Sequence, residues 1–145
     1  MIFIGLVIAA VVLDPSNVEP AELSRPSKPA SIKHATVMVS DYPRKAVKAG
    51  EVGYVVVRYV IGTNGKVSDC AIRHSSNSAA LDEKSCAIIK RWRYLPALDA
   101  AGTKIPDTRE QHFGWQIVGR GGCSDHRPAT TMPSTEVICI TAAAR

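Results

Sequence analysis

The segment Gly53 to Ile61 reads Gly-Tyr-Val-Val-Val-Arg-Tyr-Val-Ile, and Asn64-Gly65 follows directly behind it. β-Branched and aromatic residues at this density specify a strand, and Asn-Gly is a strong short hairpin signal because both residues tolerate the positive φ of a tight turn. Lys66 to His74 then makes the returning strand. Val55, Val57, Tyr59 and Ile61 share one face. A lone hairpin is marginal in water, so this face needs a cover.

The residues after His74 supply that cover. Ser75-Ser76-Asn77-Ser78 forms a turn with Ser78 as a helix N-cap, and a helix is expected over about Ala79 to Arg91. Leu81, Ser85, Ile88 and Trp92 fall on one stripe of it. Asp82 and Glu83 sit in the first turn, and Lys90, Arg91 and Arg93 at the other end, where the helix dipole favours each sign. Leu95-Pro96 forces an extended exit, and Ala101-Gly102 marks a turn. Glu110 to Val118 alternates again, with Phe113, Trp115 and Ile117 on one face. Upstream, Tyr42-Pro43 opens a short helix with Ala46, Val47 and Ala49 apolar and Gly50 placed to end it. Two hairpin strands, a helix and a returning strand give the α+β class: two layers, with the antiparallel hairpin and the returning strand packed on one main helix.

With 145 residues, 46% apolar and 21% charged, the chain has room for one domain, and that balance excludes a mainly disordered chain and a polytopic membrane protein. The net charge is +5, and its excess falls in residues 41–119, with twelve bases against eight acids. Arg44-Lys45-x-x-Lys48 and Lys90-Arg91-x-Arg93 lack the aromatic interleaving of a single-strand binder, so a solvated basic face is expected and no nucleic-acid partner.

Residues 1–13 form an unbroken apolar run that stops at Asp14-Pro15. As a helix it would reach about 20 Å, short of a bilayer core of about 30 Å, which suits an export signal first and a short inner-membrane anchor second. Residues 14–41 carry Pro15, Pro20, Pro26 and Pro29 and read as an extended linker of at most about 80 Å. Four cysteines, Cys70, Cys86, Cys123 and Cys139, support an oxidising compartment. They allow three connectivities, which spacing alone does not separate. A bond from Cys70 on the second strand to Cys86 on the helix would staple the residue 42–118 domain. Cys123 to Cys139 would then staple the tail, residues 119–145, where Thr135 to Thr141 could add a strand.

His74-Ser75-Ser76 and Asp82 invite comparison with a catalytic triad, yet adjacent His and Ser at a strand end rarely meet that geometry, and no nucleophile elbow is present. The hydroxyls are better suited to shaping the turn. His34, His74, His112 and His126 lack metal-ligand spacing, so neither metal nor cofactor is expected. Trp92 and Trp115 read as core anchors.

Taken in order, Tyr42-Pro43-x-x-Ala46, Gly50-x-x-Gly53-x-Val55-x-Val57-x-Tyr59-x-Ile61, Asn64-Gly65-x-Val67, Ser75-Ser76, Leu81-Asp82 and Arg91-Trp92-Arg93-Tyr94-x-Pro96-Ala97 resemble the C-terminal domain of TonB energy transducers. The resemblance covers residues 42–118, and the Cys70/Cys86 pair resembles a variant within that family. It implies a non-enzymatic periplasmic domain that grips the TonB box of outer-membrane receptors by β-strand addition, supporting uptake of siderophores or similar cargo. The ExbB–ExbD motor in the inner membrane is the implied energy source. Carried over, the peptide-binding edge is Gln111, His112, Phe113, Gly114, Trp115, Gln116, Ile117 and Val118, with Val39, Ser40, Asp41, Tyr42 and Pro43 beside the peptide. Family anchors engage the motor through a Ser…His pair that residues 1–13 lack. The alternative is therefore a secreted periplasmic interaction module without motor contact. An open final strand also leaves both a monomer and an intertwined homodimer available.

Overall fold

The computed structural model describes residues 26–120, 123 and 136–143. The apolar run 1–13, the first part of the linker and most of the tail lie outside the described residues.

Among the described residues, ten regular elements follow one another: β1 (Ser31–His34), α1 (Arg44–Ala49), β2 (Gly53–Ile61), β3 (Val67–His74), α2 (Ala79–Arg91), β4 (Arg93–Leu95), β5 (Ala97–Leu98), β6 (Lys104–Ile105), β7 (Asp107–Ile117) and β8 (Val137–Ala142), with a 3-10 turn at Val39–Asp41 between β1 and α1. The main sheet runs β3-β2-β7-β8. β2 pairs antiparallel with β3 and, from Gly53↔Trp115 to Ile61↔Asp107, with β7. Helix α2 covers one face, giving the expected two-layer α+β arrangement.

Val55, Val57, Tyr59 and Ile61 all lie buried on the α2 side of β2, as do Phe113, Trp115 and Ile117 on β7. Opposite them α2 buries Leu81, Ser85, Ile88 and Ile89, and Trp92 closes the helix end. Ser78 caps the helix by accepting the Leu81 amide. The Ser75 and Ser76 hydroxyls donate to the Asp82 carboxylate at 2.6 and 2.8 Å, so they build the entry turn and are not aimed at His74. At the other end, the Arg93 guanidinium donates to the carbonyls of Lys90, Arg91 and Trp92, which accounts for part of the basic run. Cys70 is bridged to Cys86 and Cys123 to Cys139.

Residues 28–41 depart from the expected linker. β1 pairs antiparallel with β4, Lys28 bridges to Leu98, and Ala30 is buried. Ala30 is clamped at both backbone groups: its amide donates to the Asp107 carboxylate at 2.9 Å and its carbonyl accepts from Arg109. Packing against the domain thus extends upstream of Tyr42 at least to residue 28 among the described residues. Pairing of β1 with a strand about sixty residues away leaves no local signal in a Pro-containing stretch.

Candidate peptide-binding edge

β7 positions the site because it is the longest strand among the described residues and is paired with β2 from Asp107 to Trp115 along one side. The sequence leaves its other side open from Gln111 to Val118. That edge carries β8 instead, in parallel register from His112↔Val137 to Ile117↔Ala142. The ladder continues past β7 through the Val118 amide, which donates to the Ala142 carbonyl at 2.9 Å. Two glutamine side chains flank it: Gln111 Nε2 donates to the Glu136 carbonyl at 2.8 Å, and Gln116 Nε2 to the Thr141 hydroxyl at 2.6 Å.

The physical reason is alternation. Parallel register puts Ile138, Ile140 and Ala142 on the same face as Phe113, Trp115 and Ile117. Ile140 and Ala142 are thereby buried in the core. A tail strand with this pattern gains apolar burial on the β7 edge that it would lack in solvent. Below His112, the β7 residues Asp107–Gln111 have no strand on that side among the described residues. There the edge opens on a groove of about 830 Å³ lined by Ala30, Ile32, Tyr59, Tyr94, Arg109 and Gln111.

The upstream part of the expected site is brought alongside. Tyr42 stacks edge-on against Trp115 with ring centroids 5.1 Å apart, and both are buried. The turn Val39–Asp41 contacts β8. Val39 and Ser40 are exposed, Val118 is exposed, and Pro43 is half-buried. Asp41 is not a free peptide-facing carboxylate. It is buried, accepts the Met38 amide at 2.9 Å and the Arg91 guanidinium at 2.7 Å, and lies 3.5 Å from the Lys84 ammonium. Burial pushes its pKa up, but the Arg91 hydrogen bond, the Met38 amide and the two cationic charges together hold it below 3.8. No local pattern in the sequence signals this cluster, because its members are scattered over fifty residues.

Cys123 and Cys139 meet over the middle of the same edge. Cys139 is the β8 partner of Gly114, and Cys123 Sγ lies 3.6 Å from the Gly114 carbonyl oxygen. A Cβ on residue 114 would stand 2.7 Å from Cys123 Sγ and 3.0 Å from its Cβ. A glycine inside an alternating strand signals such a close approach. Among the described residues, no three His, Cys, Asp or Glu side chains are placed to hold a metal. His126 lies outside them.

The described residues form an α+β domain in which one edge of the central sheet carries a parallel extended strand from the chain's own tail. Residues 38–116 match the family model for the Gram-negative bacterial TonB protein C-terminal, and the chain belongs to that family. It is 33% identical over 78 residues to protein tonB2 of Pseudomonas aeruginosa, a match covering 54% of this chain and 26% of that protein. The chain thus spans about a quarter of the relative it matches. The solution NMR structure of the Pseudomonas aeruginosa TonB CTD shares the fold, with a TM-score of 0.51 at 23% identity, covering 63% of this chain and 90% of that one. The family is one of transport energy transducers and not of enzymes, and its C-terminal domain is periplasmic. No helix among the described residues is long and apolar enough to cross a membrane.

Proposed function

We propose that this protein couples inner-membrane energy to outer-membrane receptors by taking an extended receptor segment, the TonB box, onto the β7 edge between His112 and Val118. The observation that carries this reading is β8 itself: the edge holds a six-residue parallel strand through backbone bonds and the apolar alternation of the sheet. A receptor segment needs only an extended backbone and apolar side chains at alternate positions to use the same surface. Val39, Ser40 and Pro43 would flank it, with Tyr42 and Asp41 holding that flank in place.

Retention of residues 1–13 in the inner membrane would put the domain within reach of an ExbB–ExbD motor. Cleavage near Asp14 would leave a free periplasmic module instead. Mass spectrometry of the mature protein separates these two.

The test of the grip is an amide NMR titration of the isotope-labelled full chain, oxidised and reduced, with synthetic N-terminal segments of the same cell's outer-membrane receptors. Shifts concentrated in His112–Val118 and Val39–Pro43 are expected. Folded protein that shows no shifts in either redox state would overturn the receptor reading.

A further inference from the structure

We propose that the Cys123–Cys139 disulfide is a redox latch that holds β8 on the β7 edge and so regulates access of extended peptides to it. This deepens the strand-addition reading and rests on it.

Three observations converge. First, β8 occupies the backbone positions of His112–Ile117 that an added strand needs, so peptide and tail compete for one edge. Second, the bridge is placed at the midpoint of that strand. Cys139 stands opposite Gly114 and Cys123 lies directly on Gly114, in space that any side chain at residue 114 would fill. The strand is thus pinned at its centre to a residue that follows β7 closely in the chain. Third, the two bridges differ in surroundings. Cys70 and Cys86 are half-buried and packed against the core, joining β3 to α2 inside the two-layer sandwich. Cys139 is exposed on the edge strand β8, and of the four bridged cysteines only it is exposed, Cys123 being half-buried beside it. Thiol–disulfide exchange needs a thiolate to reach a sulfur, so the outer bridge is the one a reductant meets first.

The reductant is a dithiol, of the class found in protein disulfide oxidoreductases. Its thiolate attacks one bridge sulfur, breaking the Cys123–Cys139 bond and forming a mixed disulfide. Its second thiol then displaces the remaining cysteine. Two electrons and two protons pass to Cys123 and Cys139, and the dithiol leaves as a disulfide. With the bridge open, β8 is retained only by its ladder and by burial of Ile140 and Ala142. The loop it closed, about 15 residues, no longer restricts the detached strand. The loop-closure relation puts the resulting gain in opening at about a hundredfold. A peptide that binds only the vacated edge tightens by the same factor.

The test uses the full chain in three forms: oxidised, partly reduced with graded dithiothreitol, and the C123S/C139S double variant, with C70S/C86S as control. Hydrogen exchange read by mass spectrometry reports β8 without any peptide. Exchange over Val137–Ala142 is expected to accelerate by about a hundredfold on opening the outer bridge, while β2, β3 and α2 stay protected. The control should leave β8 exchange relative to β2 unchanged. Unaltered β8 protection after verified reduction of Cys123–Cys139 overturns the latch, whatever peptides do. Should the double variant fail to fold, graded reduction of the native chain decides the question in the same way. Synthetic N-terminal segments of outer-membrane receptors form the second arm. Binding tightened at least about tenfold by opening supports the latch. Equal binding to both forms overturns it and leaves the receptor reading standing. Accelerated β8 exchange with no peptide bound by either form overturns the receptor reading, and with it the gating of such peptides.

Discussion

The indole N–H of Trp115 donates to the Ser85 hydroxyl at 3.0 Å, and Ser85 in turn donates to the Leu81 carbonyl at 2.8 Å. Both side chains are buried, so this short relay ties the C-terminal part of β7 to the middle of α2 through polar groups that have no access to solvent. It sets the depth at which the helix sits on the strand that carries the candidate edge.

Replacing Ser85 with Ala removes the acceptor of the Trp115 indole N–H and leaves that donor in an apolar surround. A loss of about 1–3 kcal/mol is expected. For a domain of this size, each kcal/mol lowers Tm by about 4–8 °C. Calorimetry of the full chain measures it, and an unchanged Tm would mean that a water replaces the hydroxyl.

Gly65 adopts a φ of +73° in the β2–β3 turn, and a Cβ there would collide with the Tyr94 carbonyl oxygen. The Gly65 carbonyl also accepts the Tyr94 amide at 2.9 Å, so the hairpin turn docks onto β4. Gly65→Ala therefore meets left-handed strain of about 1–2 kcal/mol and a backbone clash besides. Urea unfolding should show a loss of at least that size, with local exchange rising in Arg93–Leu95.

Asp41 makes stability depend on acid. Its folded pKa lies below 3.8, so the stabilisation it provides is complete above the unfolded value of about 3.9 and is lost as pH falls through the folded value. Urea titrations between about pH 7 and 2 should show an acid limb that is shallower in Asp41→Asn. That variant should also lose about 1–3 kcal/mol at neutral pH, because the charge-assisted bond from Arg91 is weakened. Equal acid limbs in both proteins would count against the cluster.

Alkali acts with the opposite sign. Burial, then the Glu51 charge, pushes the Tyr42 phenol up to about 12. Burial raises Tyr59 as well, and burial together with the hydrogen bond it donates to Tyr59 raises Tyr94. Folded-state values above the unfolded value of about 10 mean that this stability is present below about pH 10 and is lost as pH rises towards about 12. Phenolate absorbance should therefore appear late and together with unfolding. Independent early titration of these three tyrosines would contradict their burial.

Much of the candidate site is legible in the sequence, because its parts are local. The Asn64-Gly65 turn sets the β2–β3 register, Ser78 starts α2 where a capping hydroxyl should, and Phe113, Trp115 and Ile117 alternate as one strand face must. The Asp41 cluster and the clamp on Ala30 are not legible there. Each joins residues far apart in sequence whose types would suit an exposed surface equally well.

Turn chemistry, capping and periodicity act over a few residues, so the hairpin, the main helix and the alternating β7 strand are readable along the chain. Which strand edges are taken is settled in three dimensions. A strand's period says which side chains face the core but not which neighbour its backbone will bond, and both sides of β7 look alike in one dimension. Folding placed β1 on β4 and laid β8 parallel along His112–Ile117, with Cys123 seated on Gly114. That choice depends on apolar burial summed over the whole domain, and it turned an edge that the sequence left open into one that the chain covers with its own tail.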